Sequence, residues 1–128
     1  MQLHNLKDDS QKVSFVEAVK TGLGRNQGVF FPESLAPMAD IDALLEMDFV
    51  SRSSAILSHL IDDELPADTV AQMVQNAFNF PVKLLEVEEN IYCLELFHGP
   101  TLAFKDFGGR FMAECLAQFS QGEKTTIL

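Results

Sequence analysis

Hydrophobic residues recur every three or four positions along several stretches of the chain, which is the spacing of one face of a helix. Ser14 and Glu17 form a capping box that predicts a helix start, and Gly22 predicts the end of that helix. A longer apolar stripe follows Pro66, a residue suited to a first helical turn, and stops before Pro81. We expect this stripe to be core; its members are Val70, Met73, Val74, Ala77 and Phe78.

Further helices and two strands are expected around this one. A helix is predicted after Asp48, a capping residue, because the apolar positions of the following segment recur at helical spacing. A short helix is expected within residues 37–46, and the acidic run at residues 62–64 predicts a solvated turn. Two short apolar segments, residues 2–6 and 28–32, predict strands.

The pattern changes after Pro81. Two strand-like runs, residues 82–87 and 91–97, flank an acidic turn, and a helix is expected over residues 106–119. Residues 125–128 then predict a buried strand. The order of strand, loop, helix and strand is typical of a β-α-β unit with a parallel sheet.

A length of 128 residues suits one compact domain, or a small domain and part of another. The change of pattern near residue 81 favours the second arrangement. We therefore expect an α/β protein in which a small, mainly helical amino-terminal domain, residues 1–81, precedes the first β-α-β unit of a second domain, residues 82–128.

Charge and cysteine content exclude several classes of function. A net charge of −10, from 9 basic and 19 acidic residues, argues against nucleic-acid binding, which needs clustered Lys and Arg. No apolar run approaches the ~18 residues of a membrane span, and the first residues lack the apolar core of a signal peptide. Cys93 and Cys115 are expected to be reduced, buried thiols of a cytoplasmic protein, and neither has zinc-ligand spacing to a histidine.

The candidate chemistry lies between the run at residues 91–97 and the last helix. Gly99 and Pro100 predict a turn, and Lys105 follows between Phe104 and Phe107. A lysine has an ordinary pKa of ~10.4, so a half-neutral amine at pH 7 requires a pKa lowered to ~7, which burial among apolar side chains can provide. A buried Schiff-base lysine at a strand-to-helix junction is therefore one interpretation of Lys105.

Two other interpretations compete for this segment. On spacing alone, a charged surface lysine paired with Asp106 is the better interpretation of Lys105, because most lysines are solvated. A phosphate-binding loop would need a glycine where Phe104 stands and a Ser or Thr where Asp106 stands, and it is therefore excluded.

Two segments resemble the threonine synthase family. Residues 98–111, HGPTLAFKDFGGRF, are similar to its pyridoxal-phosphate lysine segment, and residues 13–32 resemble its amino-terminal signature through VSFVEAV and GVFFP. The resemblance runs over essentially the whole chain and implies the fold of the fold-type II pyridoxal-phosphate enzymes. It implies that Lys105 is catalytic and carries pyridoxal phosphate as a Schiff base, with Phe104, Asp106 and Thr101 as cofactor-binding neighbours and no metal.

The activity that this resemblance implies is conversion of O-phospho-L-homoserine and water to L-threonine and phosphate. In this family the strand that corresponds to residues 125–128 leads into a Ser/Thr- and Gly-rich loop that binds the cofactor phosphate. We therefore expect this chain to be an amino-terminal fragment that is inactive alone and able to self-associate through its unfinished sheet edge. Two alternatives stay open: another pyridoxal-phosphate lyase of the same fold, and a non-catalytic acidic helical domain that binds a partner protein.

Overall fold

The computed structural model describes residues 1–120 and residue 122, and it is an α/β protein. The strands in this part of the chain are β1 (Gln2–Asn5), β2 (Asp8–Ser14), β3 (Phe30–Pro32), β4 (Lys83–Glu88) and β5 (Ile91–Glu95). The helices are α1 (Phe15–Thr21), α2 (Ile41–Glu46), α3 (Phe49–Ile61), α4 (Ala67–Ala77) and α5 (Lys105–Phe119), with short 3₁₀ turns at Arg25–Gln27 and Asp62–Glu64. None of the described helices combines the length and the apolar character that crossing a membrane requires.

Local capping signals determine most of the helix starts. The capping box is formed, because the amide of Glu17 donates to Ser14 Oγ and the amide of Ser14 donates to Glu17 Oε2, each at 3.1 Å. Asp48 caps α3 by accepting hydrogen bonds from two backbone amides of its first turn. The helices predicted after Ser14, Asp48 and Pro66 are therefore confirmed, as is the short helix before residue 47.

An antiparallel sheet packs beside α1, with β1 between β2 and β3. The sequence pattern does not predict β2, because its residues, DDSQKVS, are polar except for Val13 and so show no apolar alternation. It forms through backbone pairing with β1, in which Leu3 lies opposite Val13. Asn5 fixes the end of this sheet: it is fully buried, and its side-chain amide donates to Gln11 Oε1 at 2.7 Å and to the Arg25 carbonyl at 2.9 Å.

The core lies where α1, α3, α4 and α5 meet. Its buried side chains are Ile61, Val70, Met73, Val74, Ala77, Cys115 and Phe119. The predicted stripe of α4 is therefore confirmed, with Phe78 half-buried at its end. Burying a large apolar side chain contributes about 1.5–3 kcal/mol, so this helical core is a major source of stability for the fold.

The prediction of a solvated turn at residues 62–64 is wrong for its last residue. The carboxylate of Glu64 accepts hydrogen bonds from the amides of Phe15, at 2.9 Å, and Val16, at 3.2 Å. Both amides belong to the first turn of α1 and have no partner within that helix. A carboxylate also complements the positive end of the helix dipole, so Glu64 joins α1 to the turn before α4.

Strands β4 and β5 form an antiparallel hairpin with Leu84 opposite Leu94. All residues of β4 and all but the last of β5 are exposed, so apolar side chains are uncovered on both faces of the hairpin. The exposed apolar residues are Leu84, Leu85, Val87, Ile91, Tyr92 and Leu94. The strand predicted at residues 125–128 lies outside the described residues, so the parallel pairing of the β-α-β unit stays a prediction.

Candidate functional site

A cleft of about 1000 Å³ opens between the hairpin, the start of α3 and the start of α5. The cleft has largely apolar walls, formed by Phe49 from α3 and by Leu84 and Leu94 from the hairpin. It is also lined by Lys105, the first residue of α5, and by Phe104, which precedes that helix. Its volume lies at the upper end of the roughly 300–1000 Å³ typical of cofactor and ligand pockets. The cleft therefore places the predicted lysine beside a space in which a small organic molecule fits.

Lys105 is the first residue of α5, and it is exposed. Phe104, which precedes it, is 66% exposed. The prediction of a lysine buried between two phenylalanines is therefore wrong, although the predicted position at a helix start is confirmed. The competing interpretation is confirmed in part: Lys105 is a surface lysine, but among the described residues no ion pair joins it to Asp106.

Helix geometry explains why the phenylalanines do not enclose the lysine. Successive residues of a helix point about 100° apart, so Phe107 and Lys105 face different directions. The ring of Phe107 lies 5.6 Å from that of Phe78 and 4.7 Å from that of Phe80, in an aromatic cluster between α4 and α5. Phe104 precedes the helix, and it lines the cleft together with Lys105 and one side of Phe107.

Asp106 is buried, at 6% exposure, and organises the turn that precedes α5. Its Oδ2 accepts a hydrogen bond from the amide of Thr101 at 2.9 Å, and its Oδ1 accepts one from the Thr101 hydroxyl at 2.7 Å. Gly99 packs so closely on this carboxylate that a side chain at position 99 would overlap it. Thr101 and Asp106 are thus bound to each other and do not line the cleft, and their predicted role in cofactor binding stays a prediction.

The turn is closed by a residue with an unusual backbone conformation. Leu102 has a φ of 59°, in the left-handed region, and its amide donates to the Gly99 carbonyl at 3.1 Å. This conformation costs a residue with a side chain about 1–3 kcal/mol. Surrounding contacts must therefore hold the turn in place, and Asp106 supplies the two hydrogen bonds next to it.

The remaining histidine and cysteine candidates have structural explanations. His98 Nε2 lies 2.6 Å from Glu95 Oε2, so this loop histidine has a partner in the preceding strand. Cys93 is exposed, and the prediction that both thiols are buried is wrong for it because β5 is uncovered. Cys115 is buried, and this burial raises the pKa of its thiol to about 11. Among the described residues, no group of three acidic, His or Cys side chains is arranged to hold a metal.

Arg110 attaches α5 to the end of α4. Its Nε donates to the Ala77 carbonyl at 2.7 Å, and its Nη2 donates to the Asn76 carbonyl at 2.9 Å and to Asn79 Oδ1 at 3.0 Å. Carbonyls in the last turn of a helix have no partner within it, and a cation there also complements the dipole. Sequence reasoning assigned no role to Arg110, because its partners lie more than 30 positions upstream.

Pyridoxal phosphate fits this arrangement through its aldehyde. Lys105 is exposed at the cleft, where an aldehyde can reach its amine. Arg52 is a further cationic residue at the cleft, but its guanidinium already donates to the carbonyls of Leu44, Leu45 and Met47. Within the described residues, the cleft therefore offers an attachment point for the cofactor and no evident partner for its phosphate.

Comparison with known proteins gives a consistent result. A family model described as threonine synthase N terminus matches residues 5–78, more than half of the chain. Over 128 residues the chain is 58% identical to threonine synthase from Haemophilus influenzae, and over 130 residues it is 52% identical to that from Escherichia coli. Each match covers all of this chain and 30% of the relative, so the chain spans about a third of the length of these proteins.

Solved structures agree with the sequence relatives. The crystal structure of threonine synthase from Escherichia coli matches with a TM-score of 0.89 at 53% identity. The structure of threonine synthase bound to pyridoxal phosphate from Brucella melitensis matches with a TM-score of 0.78 at 30% identity. Both matches cover 94% of this chain and 28% of the solved one. On these grounds the chain belongs to the threonine synthase family and corresponds to its amino terminus.

Proposed function

We propose that this chain is the amino-terminal part of a cytoplasmic threonine synthase that binds pyridoxal phosphate and converts O-phospho-L-homoserine and water to L-threonine and phosphate. One observation carries the proposal. Lys105 begins a helix at the edge of a cleft of cofactor size, in a chain that is 58% identical over its whole length to a threonine synthase. The exposed free thiol of Cys93 also fits a reducing compartment.

In the proposed mechanism the Lys105 amine has two duties. The amine holds pyridoxal phosphate through the aldehyde of the cofactor. When the amine is free, it moves protons at the α, β and γ carbons of the substrate as phosphate leaves. Pyridoxal phosphate, when bound, withdraws electrons from the carbon skeleton of the substrate. Phe104 adds an apolar side chain to the cleft that Lys105 lines.

Two helical glycines beside Lys105 support this placement. Gly108 and Gly109 lie in α5 and line the cleft. A side chain added at either would meet nothing within 4 Å, so packing among the described residues does not require glycine there. Each glycine costs the helix about 0.5–1 kcal/mol relative to alanine. The bare helix surface lets a cofactor or substrate approach the backbone closely.

We also propose that residues 1–81 form one domain and that residues 82–128 begin the catalytic domain. The helices α1, α3 and α4 bury their apolar residues in a shared core, with Cys115 and Phe119 of α5 packed against it, whereas β4 and β5 leave theirs uncovered on both faces. Strands with two apolar faces are typical of the interior of a larger sheet. In the whole enzyme the rest of the catalytic domain covers this hairpin.

The same hairpin supports self-association of the 128-residue chain when it is alone. Within the part of the chain that the structure describes, both β4 and β5 are edge strands, and exposed apolar edges pair readily with a second copy. Sedimentation velocity at rising concentration tests this, and Leu84→Lys should shift the chain towards the monomer. A monomer at all concentrations would contradict self-association. An exposed apolar stripe on α4 would favour the alternative function, a helical interaction domain, and this stripe is buried.

A chimera tests the proposed activity. This chain replaces the matching 30% of the Escherichia coli enzyme, and phosphate release from O-phospho-L-homoserine is measured with pyridoxal phosphate present. We expect activity, and we expect Lys105→Ala to lower it about 10³-fold, the scale of losing an acid–base group. The 128-residue chain alone should neither release phosphate nor bind the cofactor tightly. A folded chimera without activity would contradict the proposal.

A further inference from the structure

We propose that Arg110 is a positioning residue: by binding the end of α4, it fixes where the first turn of α5 holds the Lys105 amine in the cleft. This inference rests on the proposed function of Lys105 and goes beyond the stability that Arg110 gives the fold. Arg110 does not itself line the cleft, so it acts on the reaction only through the helix that carries Lys105.

The two halves of α5 are held in different ways. In the carboxyl-terminal half, Cys115 and Phe119 are buried in the core. The first turns border the cleft through Lys105, Gly108 and Gly109. A side chain built on either glycine meets nothing within 4 Å, so among the described residues no packing supports these turns from the cleft side. The Lys105 end of α5 must therefore be held from its opposite side.

Phe107 and Arg110 supply the contacts on that opposite side. The ring centre of Phe107 lies 4.7, 5.6 and 6.0 Å from those of three neighbouring phenylalanines, but hydrophobic contacts are not directional and let rings slide past one another. Arg110 adds three hydrogen bonds, to the carbonyls of Asn76 and Ala77 and to Asn79 Oδ1. Because a hydrogen bond weakens steeply when its angle changes, these bonds select one tilt of α5 against α4.

The distance along the helix makes the position of Lys105 sensitive to this tilt. Lys105 precedes Arg110 by five residues, which is about 7.5 Å along the helix axis. A tilt of about 10° at Arg110 therefore displaces the start of the helix by roughly 1.3 Å. A misplacement of about 1 Å can lower the rate of a reaction about 10²-fold. The bonds of Asp106 do not prevent such a tilt, because they join α5 to Thr101 of the preceding turn and not to α4.

Steady-state kinetics of the chimera separate positioning from stability. In Arg110→Ala, measured at a temperature where circular dichroism shows complete folding, kcat should fall about 10²-fold. KM should change little, since Arg110 lies outside the cleft. Arg110→Lys should lose nearly as much, because an ammonium group cannot reproduce the parallel bonds of a guanidinium. Added ethylguanidine should restore part of the rate of Arg110→Ala and none of that of Arg110→Lys, in which the lysine occupies the site.

Hydrogen exchange of the 128-residue chain gives a readout that needs no activity. The amides of residues 109–112 should exchange faster in Arg110→Ala, because the first turns of α5 lose their attachment to α4. Asn79→Ala removes only one of the three bonds of Arg110. It should therefore raise this exchange less than Arg110→Ala does, and it should lower kcat of the chimera less.

Glu64→Ala is the matched control. Glu64 likewise joins a helix to a distant part of the chain through two hydrogen bonds, and it does not line the cleft. Its loss should speed exchange at the start of α1 and leave both kcat and the exchange of residues 109–112 unchanged. The inference is overturned by an unchanged kcat in both Arg110 variants, by an equal fall of kcat in Glu64→Ala, or by unchanged exchange in α5. An inactive unaltered chimera would instead contradict the proposed function, and hydrogen exchange would then still test Arg110.

Discussion

Replacing Arg110 with alanine should destabilise the chain by about 3 kcal/mol. The bond to the Ala77 carbonyl is partly buried, and such a bond from a charged donor contributes about 1.5–3 kcal/mol. The two bonds to Asn76 and Asn79 are solvent-exposed and contribute less. The guanidinium also lies 5.9 Å from the ring centre of Phe80, which contributes about 0.5–1 kcal/mol at an exposed site.

Urea unfolding followed by circular dichroism measures this change. The midpoint should fall while the slope m stays the same, because the compactness of the folded and unfolded states is unaltered. Arg110→Lys should lose most of the same free energy, since an ammonium group cannot make the parallel bonds of a guanidinium.

Arg25→Ala is the matched control for Arg110→Ala, with the same change of charge. The guanidinium of Arg25 is exposed and pairs with Asp8 at 3.2 Å, so its loss should cost less than about 1 kcal/mol. If Arg110→Ala costs no more than Arg25→Ala, the attachment of α5 to α4 through Arg110 is refuted.

Four further results are expected from glycine and cysteine positions. Gly108→Ala should stabilise the chain by about 0.5–1 kcal/mol in the same urea assay, because the new methyl group meets no neighbour. Gly28→Ala should destabilise the chain by about 1–3 kcal/mol, because a side chain there overlaps the buried Asn5. If Gly28→Ala were more stable than Gly108→Ala, the packing described would be contradicted. Iodoacetamide at pH 8 should modify Cys93 long before Cys115, whose thiol has its pKa raised to about 11 by burial, and mass spectrometry reads the order. Because the pKa of the Cys115 thiol is raised in the folded state, it contributes stability below pH 9, and this contribution is lost as the pH rises towards 11. The free energy of unfolding should therefore fall between pH 9 and pH 11, and it should fall less steeply in Cys115→Ala.

Sequence reasoning succeeded where the signal is local. The capping box of Ser14 and Glu17 and the apolar stripe of α4 both lie within a few residues, and both are formed. Strand β2 could not be predicted, because its polar residues become a strand only through pairing with β1. The contacts of Glu64 with α1 and of Arg110 with α4 join residues far apart in sequence, and no pattern of spacing signals them.

At the candidate site the sequence pattern indicated the right position for Lys105 but predicted its surroundings wrongly. It placed Lys105 at a helix start beside apolar residues, but it could not tell which side chains turn inward. Phe107 packs in the aromatic cluster while also bordering the cleft, and Phe104 is largely exposed, so neither ring covers Lys105. The contact between Thr101 and Asp106 depends on the left-handed turn at Leu102, which a leucine does not predict.

The most direct test of the central claim is the site at which pyridoxal phosphate attaches. The active chimera is loaded with the cofactor, reduced with borohydride and mapped by mass spectrometry. The account predicts that the pyridoxyl group lies on the peptide that contains Lys105, and that Lys105→Ala removes both this label and phosphate release. Specific labelling at another lysine, or full activity of Lys105→Ala, would contradict it.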